Sequence, residues 1–160
     1  MTLVYWQINW FACVGLTVTG LPEIAGLAVL PLLLRGALQS GSVRVLLLPS
    51  LLLGIISEVL FNWLGWTNWI VGISYWGLPP LFLIGLWLNM ALAWKTFLSK
   101  APSFLIYPMF LLGTAPAYLG GASAGCIEVT SSWVSYLGIG FVYCIALSVM
   151  HLILRIRGDL

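Results

Sequence analysis

Six long apolar stretches alternate with short polar or glycine- and proline-rich breaks along the chain, and this pattern predicts six helices. The stretches cover about residues 3–19, 22–38, 44–64, 79–98, 103–123 and 133–154. Apolar runs of roughly 17–25 residues are long enough to cross a bilayer as helices. The second stretch is at the short end of that range and holds Pro31, so a tilted or re-entrant segment is its alternative. Gly20, Leu21 and Pro22 turn the chain into the second stretch, with Glu23 placed to complement a helix N-terminus. The segment from Gly65 to Gly77 holds Trp66, Trp69 and Trp76 and no charge, which predicts an interfacial loop or short surface helix. The fifth stretch contains Pro108 and Pro116, then Gly120, Gly121 and further small residues up to Gly125. Proline removes a backbone bond and clashes with the preceding turn, so this helix is expected to break or kink between Gly113 and Gly125. Broken helices often line substrate sites; close packing by small residues is the other reading of the same run.

Composition makes the environment plain. Of 160 residues, 62% are hydrophobic and 6% charged, against about a quarter charged in ordinary soluble domains. No water-soluble fold of this size buries that much apolar surface. Long unbroken apolar runs also argue against a transmembrane barrel, whose strands alternate. The fold class expected is therefore an all-α membrane protein, a single six-helix transmembrane bundle over residues 1–160. No basic segment precedes the first apolar stretch, which reads as a retained helix and not a cleaved signal.

Charge then sets the orientation. Arg35 and Arg44 flank the second break, Lys95 and Lys100 the fourth, and Arg155 and Arg157 follow the last helix. With six crossings all six cations fall on one side, which the positive-inside rule makes cytoplasmic together with both termini. Glu23, the Trp-rich segment and Glu128 fall on the other side. A net charge of +2 gives no reason to expect nucleic acid as a partner. Cys13, Cys126 and Cys144 form no CxxC pair, and Cys13 and Cys144, which fall inside apolar stretches, read as small buried residues. Gly20-Leu21-Pro22 and Gly77-Leu78-Pro79 each precede an inward-running helix, a weak sign of an inverted three-plus-three repeat.

The candidate chemistry centres on Glu58, in the outer half of the third helix with Asn62 one turn later. A charged, unpaired carboxylate in hydrocarbon costs about 3 kcal/mol or more, so intramembrane acids mark functional sites by default. Glu58 is expected to face the bundle interior, with Asn62, Asn89 or the broken end of the fifth helix as its polar neighbour. The candidate ligand-binding set is Glu58, Asn62, Asn89, Glu23, Glu128, Pro116, Gly120 and Gly121. No catalytic set, metal site or cofactor fingerprint is present, and His151 near the inner end of the last helix reads as interfacial.

The stretch LPPLFLIGLWLNMALAWKTFLSKAP followed by GTAPAYLGGASAG resembles a family of small uncharacterised bacterial inner-membrane proteins. Asn9 to Cys13 and the acid at position 58 fit the same pattern. The resemblance implies a bacterial origin, a multi-helix inner-membrane fold and a lean towards lipid metabolism, since such proteins are often encoded beside enzymes that modify phospholipid acyl chains. It carries over no catalytic residue. The tryptophan-rich sensory proteins are of similar size, but their Trp-Asn-Pro-Pro motif is absent here.

The function expected is binding or translocation of a small amphipathic or lipid-like molecule. The alternatives are a lipid-modifying membrane enzyme or its accessory subunit, and a structural partner of another membrane protein. The partners this class admits are the bilayer, a lipid-like ligand, a second copy of the chain or another membrane protein.

Overall fold

The computed structural model describes residues 2–74, 76–100, 103–130 and 132–159. Ala101, Pro102 and Ser131, which the sequence places in turns, lie outside the described residues. Seven α-helices and two short strands follow one another: α1 (Thr2–Val18), α2 (Pro22–Ala28), α3 (Leu30–Gln39), α4 (Gly41–Trp63), β1 (Thr67–Trp69), α5 (Leu81–Lys100), α6 (Ser103–Ser123), β2 (Ile127–Val129) and α7 (Trp133–Ile156). Among the described residues, four segments are long and apolar enough to cross a membrane: Gly41–Trp63, Leu81–Leu98, Leu105–Ser123 and Trp133–Ile156.

The second apolar stretch differs from the single helix expected. It is split at Val29 into α2 and α3. Val29 keeps helical dihedrals (φ −75°, ψ −22°), so the chain does not turn there. Pro31 lies in the first turn of α3, where a missing N–H is tolerated. The fifth stretch differs in the opposite sense. α6 runs without interruption from Ser103 to Ser123, through both Pro108 and Pro116. Both prolines are exposed on the outer face of the bundle. Their rings displace no packed neighbour, and the remaining backbone bonds hold the helix together.

α1 buries one stripe, Tyr5, Asn9, Cys13 and Thr17, with a residue every four positions. It packs, with α2, chiefly on α5. α4 with α5 and α6 with α7 form two tightly packed hairpins. Gly54 lets α4 approach α5 closely, because a Cβ at this position would collide with the Trp87 ring.

The strands are the element the sequence does not announce. Within the Trp-rich segment, β1 pairs antiparallel with β2, matching Thr67 to Val129, Asn68 to Glu128 and Trp69 to Ile127. This register is symmetric under a shift of 60 residues, as from Asn68 to Glu128. The surroundings obey the same shift. α4 ends with Gly65 N bonded to Asn62 O and Trp66 N to Phe61 O; α6 ends with Gly125 N bonded to Ala122 O and Cys126 N to Gly121 O. Gly65 (φ 67°) and Gly125 (φ 73°) both take the left-handed conformation that closes such helix ends. Beyond the ladder, Thr130 N bonds Trp66 O and Ile70 N bonds Cys126 O. The α4–β1 and α6–β2 units are thus related by a local two-fold axis through the Asn68–Glu128 pair. They run in the same direction, and they are different segments from those that follow the two Gly-Leu-Pro triplets.

Asn68 and Glu128 are exposed, while Thr67 and Ile127 are buried. The two-stranded sheet therefore lies flat across one end of the bundle, like a cap. Arg44 at the start of α4 and Arg155 near the end of α7 lie at the opposite end.

Candidate functional site

Four helices each send one polar-tipped side chain to the centre of the bundle beneath the cap. Glu58 comes from α4, Trp87 from α5, Tyr118 from α6 and Tyr143 from α7. Glu58 is 1% exposed. Its Oε1 accepts the indole N–H of Trp87 at 2.9 Å and the hydroxyl of Tyr118 at 2.6 Å. The Tyr118 hydroxyl also lies 3.5 Å from that of Tyr143. Trp87 and Tyr143 stack with ring centroids 4.6 Å apart. Phe61 packs edge-on against Tyr118 at 6.1 Å.

The cluster sits where two apolar cores meet. Trp87 belongs to the core that contains Leu46, Trp94 and Met150, Tyr118 to the one that contains Cys13, Phe61 and Ile127, and Tyr143 packs on both. Glu58 and Tyr118 occupy corresponding positions, 60 residues apart, in the two related units. The bond between them joins the two units directly, an acid from one and a phenol from the other.

The second carboxylate oxygen is different. Glu58 Oε2 is buried and has no hydrogen-bond partner among the described residues. Trp69, on the inner face of β1, presents its indole N–H to the same carboxyl without completing a well-formed bond, and that N–H is likewise unpartnered. The cap strand and the acid thus face each other through one unsatisfied acceptor and one unsatisfied donor, an arrangement costly in a dry interior.

The other expected site residues separate from this centre. Asn62 donates to Thr67 O at 3.2 Å, tying the end of α4 to β1, and does not contact Glu58. Asn89 belongs to another network: Asn9 Nδ2 donates to Asn89 Oδ1 and to Val29 O, both at 3.0 Å, and Asn89 Nδ2 donates to Trp6 O at 2.8 Å. These bonds glue α1, the α2–α3 junction and α5. Glu23 Oε1 accepts the backbone N–H of Ile73 at 2.6 Å, fastening the loop after β1. Glu128 accepts from Asn68 at 3.1 Å on the exposed face of the cap. The three acids therefore do not converge on one pocket. Asn62 and Glu128 do share an open cleft of about 600 Å³ on the outer face of the cap, with Thr67, Asn68 and Thr130. Pro116 and Gly120 are exposed, Gly120 has open space around it, and Gly121 lies against Ile127. With α6 unbroken, none of the three supplies a freed backbone group to Glu58.

Trp69, Trp87, Tyr118 and Tyr143 are absent from the expected set. Their signal was positional. Trp and Tyr belong at membrane interfaces, whereas Trp87, Tyr118 and Tyr143 lie inside membrane-length helices.

The chain belongs to the family described as protein of unknown function (DUF2878), which it matches over residues 1–149. No curated protein and no solved structure matches it.

Proposed function

We propose that the protein is a multi-pass inner-membrane protein of bacteria, with six crossings and both termini cytoplasmic, that binds or translocates a small amphipathic or lipid-like molecule. One observation carries the reading. A fully buried carboxyl keeps one oxygen, Oε2, without a hydrogen-bond partner among the described residues, while the similarly unpartnered Trp69 N–H of the cap strand lies near the same carboxyl. A purely structural acid would be expected to satisfy both oxygens. The outer cleft beside Asn62 and Glu128 gives a polar head group a first resting place above the cap. The apolar groove between α6 and α7, lined by Leu111, Leu112, Ala115, Trp133 and Leu137, suits an acyl chain alongside.

The second reading, a structural partner of another membrane protein, has its own support. The Asn9–Asn89 network is internally satisfied and acts as interhelical glue.

Native mass spectrometry of the protein released from its own membrane separates the two. The binding reading expects a retained amphiphile on the wild type, lost in Glu58→Leu and reduced in Glu58→Gln, with both variants folded. Equal retention in all three, or none in the wild type, favours the structural reading.

A further inference from the structure

The chemistry around Glu58 narrows what its open oxygen takes. A metal ion needs several oxygen ligands around it. Here the carboxyl is faced by donors: the N–H groups of Trp87 and Trp69 and the O–H of Tyr118. Those positive ends repel a metal cation. Among the described residues no cationic side chain pairs with Glu58, and the titratable groups facing it are Tyr118 from α6 and Tyr143 from α7. Close packing by Trp87, Tyr118, Tyr143 and Phe61 encloses the acid tightly. A proton is the one cation that needs neither a ligand shell nor space.

We infer that Glu58 is a reversible proton-binding site that controls the β1–β2 cap through Trp69. This deepens, and rests on, the reading of Glu58 as the functional centre. The single hydrogen of Tyr118 goes to Oε1, so in the 3.5 Å contact between the hydroxyls Tyr143 is the donor. Oε1 is therefore fully engaged in both states, and the proton is taken at Oε2. In the ionised state the carboxylate attracts the nearby Trp69 N–H, although the two complete no hydrogen bond, and this attraction helps to hold β1 down. Hydronium in the aqueous phase at the cap end gives up one proton: its O–H bond breaks and water is released, an O–H bond forms at Oε2, and the carboxylate is neutralised. The oxygen then presents a hydrogen where it presented a lone pair. Trp69 loses its attraction, and the cap loses one of its fastenings on the bundle. The bonds of Asn62 to Thr67 O and of Asn68 to Glu128 remain. Trp69 and Tyr118 act here as positioning residues, the one reporting the proton to the cap and the other fixing which oxygen receives it.

The test uses the full chain in lipid nanodiscs. Infrared difference spectra are taken between the wild type and Glu58→Gln from about pH 5 to about pH 10. The expected result is a carboxylic-acid carbonyl band, absent from the variant, that disappears as pH rises and is unchanged when sodium replaces potassium. Amide exchange across residues 64–72, corrected for its intrinsic pH dependence, should be roughly tenfold faster on the acid side, about 1.4 kcal/mol of cap opening. That acid-side acceleration should vanish in Glu58→Gln and in Trp69→Phe. A band constant across the range, a band absent throughout, or a band removed by sodium overturns the proton site. A titrating band with cap exchange that ignores it overturns the coupling. Retained amphiphile does not enter this readout. Equal amphiphile retention in the wild type and both Glu58 variants, together with a titrating band, leaves the proton site standing and removes the binding reading; retention that depends on Glu58, without a titrating band, does the opposite.

Discussion

Removing one hydroxyl tests whether the central cluster is a bonded unit. Tyr118→Phe keeps the ring that packs on Phe61 and Tyr143 and deletes the 2.6 Å bond to Glu58 Oε1. Trp87 still donates to the same oxygen, so the carboxyl is weakened and not abandoned. Interhelical hydrogen bonds in membrane proteins average about 0.6 kcal/mol and reach about 1.7 in double-mutant cycles. The short distance and full burial put this bond at the upper end, and Tyr118→Phe should cost about 1–2 kcal/mol. Glu58→Leu should cost more, because it leaves the Trp87 N–H and the Tyr118 hydroxyl without their acceptor, each roughly 1–3 kcal/mol. The decisive measurement is a double-mutant cycle of Glu58→Leu with Tyr118→Phe, read by reversible unfolding in mixed micelles. The expected coupling is about 1–2 kcal/mol, so the double variant is less damaged than the sum of the singles. A coupling near zero would show that the two side chains are neighbours without an energetic bond and would refute the reasoning.

Other outcomes follow from the same packing. Gly54→Leu drives a side chain into the Trp87 ring and should cost about 1–3 kcal/mol, seen as a lower melting temperature in detergent. Cysteines at Thr67 and Val129, directly opposed and facing the bundle, should form a disulfide on mild oxidation, whereas cysteines at Asn68 and Val129 should not. Pro116→Ala, at an exposed position in a continuous helix, should change stability by no more than about 0.5 kcal/mol; a severe loss would mean the proline shapes α6 after all. Cysteine at Asn68 should react with an impermeant thiol reagent added outside intact cells and cysteine at Gln39 should not, and the reverse pattern inverts the topology.

The helices were legible because each carries its own signal: an apolar run bounded by Gly, Pro or charge is a local property. The class of the centre was legible too, since Glu58 is the one acid inside an apolar run and the structure buries it inside. Its partners were not. Asn62 was a natural candidate by helical spacing, yet its amide turns to Thr67 O, because the cap needs a bond that only the folded turn reveals. The paired strands were invisible for a related reason. β1 and β2 are three residues each and find each other across 60 positions, a non-local pairing with no alternation long enough to read. The two related units share a shape and hardly any residues: over 58–70 and 118–130 only the glycine at 65 and 125 is identical. What repeats is a backbone conformation that demands φ > 0, and one residue type is enough to encode it. The break expected in α6 does not occur because Pro108 and Pro116 both face outward, which their places in the sequence do not reveal.

The shared backbone of the two units has a consequence for the acid it carries. Residues 58 and 118 take corresponding places and meet directly. Had both been carboxylates, like charges in close contact would have opposed each other's ionisation. Had both been phenols, the centre would hold no acid at all. The difference in residue type at this one place between two units of matching form thus sets a donor against an acceptor, and it is this unlikeness that makes their junction a bond.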